Sequence, residues 1–312
     1  MDIAYLLFLQ NLRTITCGIF DSVFLYITTL GEDFTLMVWG CGIYWCVDKA
    51  AGIYLMFNFH IANFANQLIK ITACVYRPWI RDKRVIPLEA AKGAATGYSF
   101  PSGHTAKAVG VWGGLAERMK TFKPLRFFLW GVVLTVGFSR NYLGVHTPQD
   151  VIVSLGIGVI FLKATEKLLV WVVNKEKRDM VICGIGVCFA VALLIYGRLR
   201  PYPMDVVDGK LLVDPSSMIN GSIRGAGGFI GLLLGWLWER RGIRFKDNGR
   251  SMEEKLLCFL SGVTGLLLIM KVIPSVVVKI FPGQAGTFIN GFMVPFYILG
   301  AFPWCMERLR TD

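Results

Sequence analysis

Long apolar stretches separated by short polar connections form the main hydrophobic pattern of the chain. Those at 50–69, 180–197 and 280–306 are long enough, as helices, to cross a hydrocarbon layer of about 30 Å. Together with cap and breaker residues, the pattern predicts nine membrane-spanning helices. Their expected bounds are 34–47, 52–72, 103–119, 125–145, 149–172, 179–197, 222–238, 255–273 and 284–304.

The segment before the first span has a different pattern. Ile3, Leu6, Leu9 and Leu12 recur every three residues among few charges, which favours a helix lying on the membrane surface. We therefore predict an all-α, polytopic membrane helix bundle, with a six-helix core and about three additional C-terminal transmembrane helices. The expected parts are an N-terminal surface segment at 1–32, the core at 33–197, and an outer loop with the three additional spans at 198–312.

Composition narrows the class of protein. With 54% hydrophobic and 17% charged residues, the chain is too apolar for a water-soluble domain, a disordered chain or a coiled coil. Most of the eight cysteines lie in apolar runs, where a thiol behaves as a small hydrophobe, so a disulfide framework is not expected. The excess of 33 Lys and Arg over 21 Asp and Glu is explained by membrane loops, and nucleic acid is not an expected partner.

Basic residues in the short connections predict the orientation of the helices. They cluster between spans three and four, five and six, and seven and eight, which places these connections and the C-terminus in the cytoplasm and the N-terminus outside. The connection at 73–102 then faces outward although it contains Arg77, Arg81, Lys83 and Arg84. We interpret Arg77 as anion-binding and the other three as lipid-headgroup anchors. The basic residues of the inward connections are Arg118, Lys120, Lys123, Arg126, Lys175, Lys177, Arg178, Arg240, Arg241, Arg244, Lys246 and Arg250.

Two of the three histidines, His104 and His146, lie in polar segments that are expected to face outward. His60 lies in the middle of the second span, where we expect a hydrogen-bonded structural role. Ser102 is suited to cap a helix that begins at Gly103, whose first-turn N–H groups would then face an anion. His104 would be placed to protonate a leaving oxygen. The alternative is a loop-to-helix junction that contains a histidine by chance.

The other histidine, His146, is expected at the N-terminus of another helix. Thr147, Pro148 and Asp150 form the pattern of a helix start, directly after His146. Asp150 is close enough to accept a hydrogen bond from one imidazole nitrogen, which leaves the other nitrogen as a nucleophile. The alternative is that Asp150 is only a capping residue.

Three further basic residues are expected on the same outer face: Lys70, Arg77 and Arg140. A guanidinium group binds phosphate oxygens in bidentate fashion, and a lysine adds a movable point charge. Basic residues near a bilayer are equally suited to contact lipid headgroups. Their expected position beside two histidines and two helix N-termini favours phosphate binding.

These segments resemble the signature of the type 2 phosphatidic acid phosphatase superfamily. That signature is a lysine, six residues and Arg-Pro; then Pro-Ser-Gly-His; then Ser-Arg, five residues, histidine, three residues and aspartate. The resemblance covers roughly spans one to six, and the last three spans go beyond it. The matching residues, in order, are Lys70, Arg77, Pro78, Pro101, Ser102, Gly103, His104, Ser139, Arg140, His146 and Asp150.

The resemblance implies a phosphatase with assigned roles for these residues. His146 would attack phosphorus to form a phosphohistidine, Asp150 would orient it, and His104 would protonate the leaving group and later activate water. No metal and no other cofactor is implied. The phosphate-binding residues would be Lys70, Arg77, Ser102, Gly103 and Arg140.

The expected partners are membrane lipids and a phosphorylated lipid substrate, such as undecaprenyl pyrophosphate, phosphatidic acid or phosphatidylglycerol phosphate. The expected location is a bacterial plasma membrane with the site facing outside, and the alternative is an endoplasmic-reticulum membrane with a lumenal site. Three other functions stay open: hydrolysis of a soluble sugar phosphate, as in glucose-6-phosphatase, a lipid phosphotransferase, and a non-enzymatic anion-binding protein. The oligomeric state does not follow from the sequence.

Overall fold

Helices make up nearly all of the regular structure. The computed structural model describes residues 2–175, 177–207, 209–246 and 251–311. Within these residues the first ten α-helices are α1 (Asp2–Ile15), α2 (Asp21–Thr29), α3 (Asp33–Cys46), α4 (Lys49–Ala73), α5 (Pro78–Arg81), α6 (Glu89–Lys92), α7 (Gly103–Ala108), α8 (Gly114–Arg118), α9 (Lys123–Tyr142) and α10 (Pro148–Val173). The other six are α11 (Arg178–Leu199), α12 (Pro215–Trp238), α13 (Met252–Leu267), α14 (Ile273–Ile280), α15 (Gln284–Phe296) and α16 (Phe302–Thr311).

Short non-α elements interrupt this pattern. A two-stranded antiparallel hairpin, β1 (Val206–Val207) and β2 (Lys210–Leu211), lies in the loop before α12. Four π-helical segments occur in the described part of the chain. Three of them join consecutive helices, namely Val109–Gly113, Leu268–Val272 and Tyr297–Ala301, and the fourth, Glu239–Ile243, ends α12. The all-α architecture is therefore the one that the sequence predicts.

Three helical stretches of the described residues are long and apolar enough to cross a membrane. They are Arg178–Leu199, Met252–Ile280 and Gln284–Leu309. Each corresponds to one of the nine predicted spans. The other six predicted spans also form helices, namely α3, α4, α9, α10, α12 and the stretch at 103–118. That these six cross the membrane stays a prediction.

The helix starts differ from the expectation in two places. The N-terminal segment forms two helices instead of one, because Cys17 and Gly18 adopt φ angles of 49° and 70° and interrupt it. Its position on the membrane surface stays a prediction. Helix α12 begins at Pro215, earlier than the predicted 222, because Asp214 caps it by accepting a hydrogen bond from the Ser216 N–H at 2.8 Å.

Proline explains why the last two spans are longer than predicted. Pro274 and Pro303 closely follow π-helical segments. A proline has no N–H to donate to the preceding turn, so the helix widens locally and continues. The helical stretches therefore reach residues 280 and 311, beyond the predicted ends at 273 and 304.

Residue contacts divide the chain into two units. The expected boundaries at 33, 197 and 198 stay a prediction. Residues 1, 176, 208, 247–250 and 312 lie outside the described residues. All eight cysteines are free thiols. The first unit comprises residues up to Leu36, Ala65–Leu162 and Arg200–Met218, and the second unit comprises Met37–Phe64, Lys163–Leu199 and residues from Ile219 onward.

Small residues allow close helix packing in the second unit. Helix α12 carries Gly227 and Gly231 one turn apart, facing α15. A Cβ atom at Gly231 would lie only 2.2 Å from the Phe292 carbonyl oxygen, and one at Gly227 only 2.4 Å from that of Phe288. The two backbones are therefore in direct contact, as is typical of small-residue interfaces between membrane helices.

Candidate active site

His146 and Asp150 meet at the start of α10 in the first unit. His146 Nδ1 lies 3.2 Å from Asp150 Oδ2, and both side chains are 2% exposed. The same carboxylate oxygen accepts a hydrogen bond from the Thr147 N–H at 2.9 Å, and Thr147 Oγ1 accepts one from the Asp150 N–H at 3.4 Å. Asp150 thus caps the helix and contacts the imidazole at once, so the two interpretations of this residue do not exclude each other.

A hydrophobic cluster holds the loop that leads to His146. Leu143 and Val145 are fully buried, and they pack in one cluster with Ala91 and Ala95. The Leu88 N–H also donates to the Leu143 carbonyl oxygen at 3.0 Å. This packing fixes the backbone on which the histidine is carried.

Ser99 contacts Asp150 and was not singled out from the sequence. Its Oγ donates to Asp150 Oδ2 at 2.5 Å, and the residue is fully buried. Its backbone N–H donates to the Val75 carbonyl oxygen at 2.7 Å. The only sequence signal was its place just before Pro101, which does not distinguish it from other polar loop residues.

Arg77 contacts the other ring nitrogen of His146. Its Nη1 lies 3.0 Å from His146 Nε2. The same guanidinium donates to the carbonyl oxygens of Thr96, Gly97 and Val145 at 2.8 to 3.0 Å. Since a guanidinium has about five N–H donors, these bonds leave one of them, on Nη2, for a ligand. The structure therefore holds Arg77 mainly by protein groups, whereas the sequence analysis expected a phosphate ligand.

The surroundings of His146 keep its ring neutral. Burial and the Arg77 guanidinium lower the pKa of His146 below its ordinary value, and Asp150 acts in the opposite direction. Near neutral pH the proton is therefore assigned to Nδ1, facing Asp150, and the lone pair to Nε2. This is the protonation state that a nitrogen nucleophile requires.

Buried donors of Arg140 and His104 have no hydrogen-bond partner within the described residues. Arg140 is fully buried, and its Nη1 donates to Thr28 Oγ1 at 2.7 Å, but its Nε and Nη2 are unpaired. His104 Nε2 is also buried and unpaired. Arg140 is close enough to act electrostatically on both His104 and His146. Because buried polar groups are almost always hydrogen-bonded, these unpaired atoms are candidate contacts for a ligand, and an oxyanion suits both.

Lys70 and Asn66 lie one turn apart on α4. Lys70 acts electrostatically with Arg77, Arg140 and Asp150, which places its ammonium group among the same residues. Asn66 Nδ2 donates to the Pro101 carbonyl oxygen at 3.1 Å, and a Cβ atom at Gly103 would lie 3.4 Å from Asn66 Oδ1. The end of α4 is thereby joined to the start of α7.

Ser102 acts as the predicted cap of α7. Its Oγ lies 2.9 Å from Thr105 Oγ1 and 3.5 Å from the Thr105 N–H, and its own N–H donates to the Asp150 carbonyl oxygen at 3.1 Å. The hydroxyl is therefore engaged in capping. In the described part of the chain no partner is found for the amide N–H of Gly103 or of His104, so both are open to a ligand.

Lys107 on α7 and Asp33 at the start of α3 form an ion pair close to this site. Lys107, one turn after His104, is 12% exposed and ion-paired with Asp33. It acts electrostatically on Lys70 and His104. Neither Lys107 nor Asp33 is among the predicted site residues, although the three-residue spacing of Lys107 from His104 on α7 is a usable signal.

The other candidates lie elsewhere. His60 belongs to the second unit, where it is 5% exposed and packs on the Phe59 ring with centroids 5.0 Å apart. Arg81 pairs with Asp2 at 2.8 Å, and Arg84 pairs with its neighbour Asp82. Among the residues that the structure describes, no group of three or more His, Cys, Asp or Glu side chains is arranged to hold a metal ion.

Comparisons with known proteins identify the family. The PAP2 superfamily matches residues 51–178, and the transmembrane extension of PAP2 superfamily phosphatases matches residues 223–312. The chain is 30% identical over 156 residues to phosphatidylglycerophosphatase B of Bacillus subtilis, which covers 46% of this chain and 72% of that protein. It is 34% identical over 118 residues to undecaprenyl-diphosphatase of Sulfolobus acidocaldarius, which covers 36% and 54% respectively. No solved structure gives a significant match.

The resemblance inferred from the three motifs is therefore confirmed. Two matching family segments and a relative at 30% identity agree with it. Helices long and apolar enough to cross a membrane agree with the transmembrane extension. The chain belongs to the PAP2 superfamily and is a multi-pass integral-membrane phosphatase.

Proposed function

We propose that the protein hydrolyses a lipid phosphate or pyrophosphate at the non-cytoplasmic face of the membrane, without a metal ion and through a phosphohistidine. The observation that carries this proposal is the set of unpaired buried donors, His104 Nε2 with Arg140 Nε and Nη2, within electrostatic reach of His146. A phosphoryl group would satisfy all three donors and meet a neutral nucleophile backed by Asp150.

In the first step His146 Nε2 attacks phosphorus, and the bond from phosphorus to the leaving oxygen breaks. Arg77 gives up its contact with Nε2 and donates to a phosphoryl oxygen instead. The Nδ1–H bond to Asp150 stabilises the positive ring that results. His104 gives its proton to the leaving oxygen, and the negative charge of the bound phosphate favours the imidazolium form that this requires.

In the second step water replaces the histidine. His104, now neutral, takes a proton from water while the water oxygen attacks phosphorus. The N–P bond breaks, and its electron pair returns to His146 Nε2. The products are inorganic phosphate and an alcohol, or a lipid monophosphate when the substrate is a pyrophosphate, and His104 is protonated for the next cycle.

The cationic groups stabilise the charge of the transferred phosphoryl group. Lys70, Arg140 and the remaining Arg77 donor face the non-bridging oxygens in this proposal, with the open amides of Gly103 and His104. Ser102 contributes by capping α7, which aims those amides. Metal independence belongs to the proposal because these side chains supply the positive charge that a metal ion supplies in other phosphatases.

The membrane environment supports a lipid substrate and an outward-facing site. The two relatives are named for phosphatidylglycerophosphate and undecaprenyl diphosphate. The loop that carries His146 follows the last residue of α9, whereas the connection at 119–122, with basic residues on both sides of it, precedes its first turn. A helix of 20 residues separates these ends by about 30 Å, one hydrocarbon thickness. If the basic end of α9 faces the cytoplasm, the site lies at the non-cytoplasmic face of the membrane. In this proposal that membrane is a bacterial plasma membrane.

Replacing His146 by Asn tests the nucleophile. We expect phosphate release to fall by at least about a thousandfold, since no other nitrogen takes its place. The thermal unfolding curve should match that of the parent, whose activity should survive chelators and fall with vanadate. His60→Asn is the matched control and should remain active. A His146→Asn protein that keeps a tenth of the parent activity would rule out the phosphohistidine.

Ser99→Ala tests the positioning of Asp150. Loss of one charge-assisted hydrogen bond should lower kcat about tenfold. Without the Ser99 hydroxyl, the Asp150 carboxylate accepts one hydrogen bond fewer and therefore stabilises the protonated form of His146 more strongly. The pKa of His146 then rises, and the acid limb of the kcat/KM profile moves to higher pH.

Ser154→Ala is the matched control for Ser99→Ala. Its hydroxyl is equally buried but bonds only the backbone carbonyl oxygens of Asp150 and Ser102, at 2.7 and 2.9 Å. It should leave the acid limb in place. An identical shift in both variants, or none in Ser99→Ala, would contradict the positioning role.

A substrate comparison in detergent tests the lipid assignment. We expect kcat/KM for a polyprenyl pyrophosphate or phosphatidic acid to exceed that for a sugar phosphate by at least about tenfold, because the lipid tail adds apolar contacts. Turnover of the sugar phosphate at an equal rate would favour the soluble-substrate alternative. Product that forms only when an alcohol acceptor is added would identify a phosphotransferase.

A further inference from the structure

The second unit contains a cavity of about 590 Å³ with a mainly basic lining. This volume lies in the range of small-molecule sites, roughly 300 to 1,000 Å³. None of its lining residues belongs to the candidate active site. They are Lys49, Ile53, Lys177, Asp179, Trp236, Glu239, Arg240, Arg241 and Arg244.

Two buried carboxylates hold part of the basic lining in place. Asp179, 5% exposed, lies 2.6 Å from Arg241 Nη2 and 3.3 Å from Arg240 Nε. Glu239, 2% exposed, lies 2.5 Å from Lys49 Nζ. Both acids of the lining are therefore engaged, and its five basic and two acidic side chains leave a net charge of +3.

The two remaining cations are exposed and have an unusual backbone. Lys177 and Arg244 adopt φ angles of 69° and 53°, a region that residues other than glycine rarely occupy. Arg244 is the C-cap of the π-helical segment at the end of α12, a position at which glycine is common when the backbone is left-handed. Within the described residues neither side chain is paired with an acid. Both long basic side chains are therefore carried beside the cavity on backbone conformations that cost free energy for residues other than glycine.

Apolar groups complete the lining. Trp236 is 3% exposed and packs edge-on against Phe57, with ring centroids 5.0 Å apart. Ile53 lies on the same lining. The cavity thus combines the buried Trp236 ring with basic side chains, some of which are ion-paired with the two acids of the lining. This combination suits an anion that carries an apolar group.

We propose that this cavity binds a phosphate-bearing anion, either the headgroup of an anionic membrane lipid or free phosphate. Guanidinium and ammonium groups recognise phosphate oxygens by charge-assisted hydrogen bonds. Basic residues that only orient a membrane protein need no cavity and no buried ion pairs to hold them. Binding here is independent of the proposed hydrolysis, because the two sites share no residue.

Covalent labelling of Lys177 tests this proposal on the full chain in detergent. An amine-acylating reagent is applied with dihexanoyl phosphatidylglycerol, inorganic phosphate or dihexanoyl phosphatidylcholine, and the labelled peptides are measured by mass spectrometry. Phosphatidylglycerol is a phosphodiester and therefore not a phosphomonoester substrate. When the protecting ligand is present at ten times its dissociation constant, the acylation rate of Lys177 should fall roughly tenfold. Lys120, in another basic connection, should react at its original rate.

Comparing the ligands distinguishes a lipid headgroup from free phosphate. Protection by phosphatidylglycerol alone supports a lipid headgroup, and protection by inorganic phosphate as well supports the bare anion. Protection by neither ligand, equal protection by phosphatidylcholine, or equal protection of Lys120 would overturn the proposal.

Variants of Arg244 supply the matched comparison. Arg244→Gln should raise the ligand concentration for half-protection of Lys177 by roughly tenfold, through loss of a charge-assisted hydrogen bond. Arg244→Gly should do the same and also suits the left-handed backbone, so a folding defect cannot explain both results. Lys123→Gln, a basic residue outside the cavity, should change nothing. Unchanged protection in both Arg244 variants would contradict the assignment.

Discussion

His146 and Asp150 together join the three sequence motifs, and the arrangement of the candidate site depends on their contacts. The Asp150 carboxylate holds His146 and accepts from Ser99, while the backbone carbonyl oxygen of Asp150 accepts from Ser102. Arg77 reaches the same centre through the opposite nitrogen of His146. Residues that lie far apart in the chain are thereby fixed around one imidazole, whose proton and lone pair are assigned by its two neighbours.

The second constraint is the cost of burying positive charge in this unit. Lys70, Arg77 and Arg140 lie close together, within electrostatic reach of the carboxylates of Asp150 and Glu32. Backbone carbonyl oxygens compensate Arg77, but two nitrogens of Arg140 stay unpaired among the described residues. A buried unpaired guanidinium is unfavourable unless an anion arrives. In the proposed function a phosphate group supplies this anion.

Local patterns in the sequence predicted much of this structure. The helices lie close to their predicted positions because each span is a continuous apolar block, and the caps at Ser102 and Thr147 are encoded within a few residues. Helix α12 starts before the position that hydropathy predicts, because Asp214 and Pro215 begin the helix ahead of its apolar block.

Contacts between distant segments were not predictable in the same way. Ser99 reaches Asp150, Thr28 reaches Arg140 and Asp33 reaches Lys107 across more than fifty residues each. No periodicity or spacing encodes such pairs, since they arise from the packing of helices that the sequence describes one at a time. Thr28, in the last turn of α2, joins the N-terminal segment to the site, and the position of this segment on the membrane surface stays a prediction.

The central claim is that two distant histidines and buried cations converge on one phosphoryl group. A structure of the full protein with vanadate bound tests it most directly. The account predicts vanadium bonded to His146 Nε2, with oxygens accepting hydrogen bonds from His104 Nε2 and from the unpaired nitrogens of Arg140. Vanadate bound away from His146, or bound with His104 and Arg140 still unpaired, would contradict it.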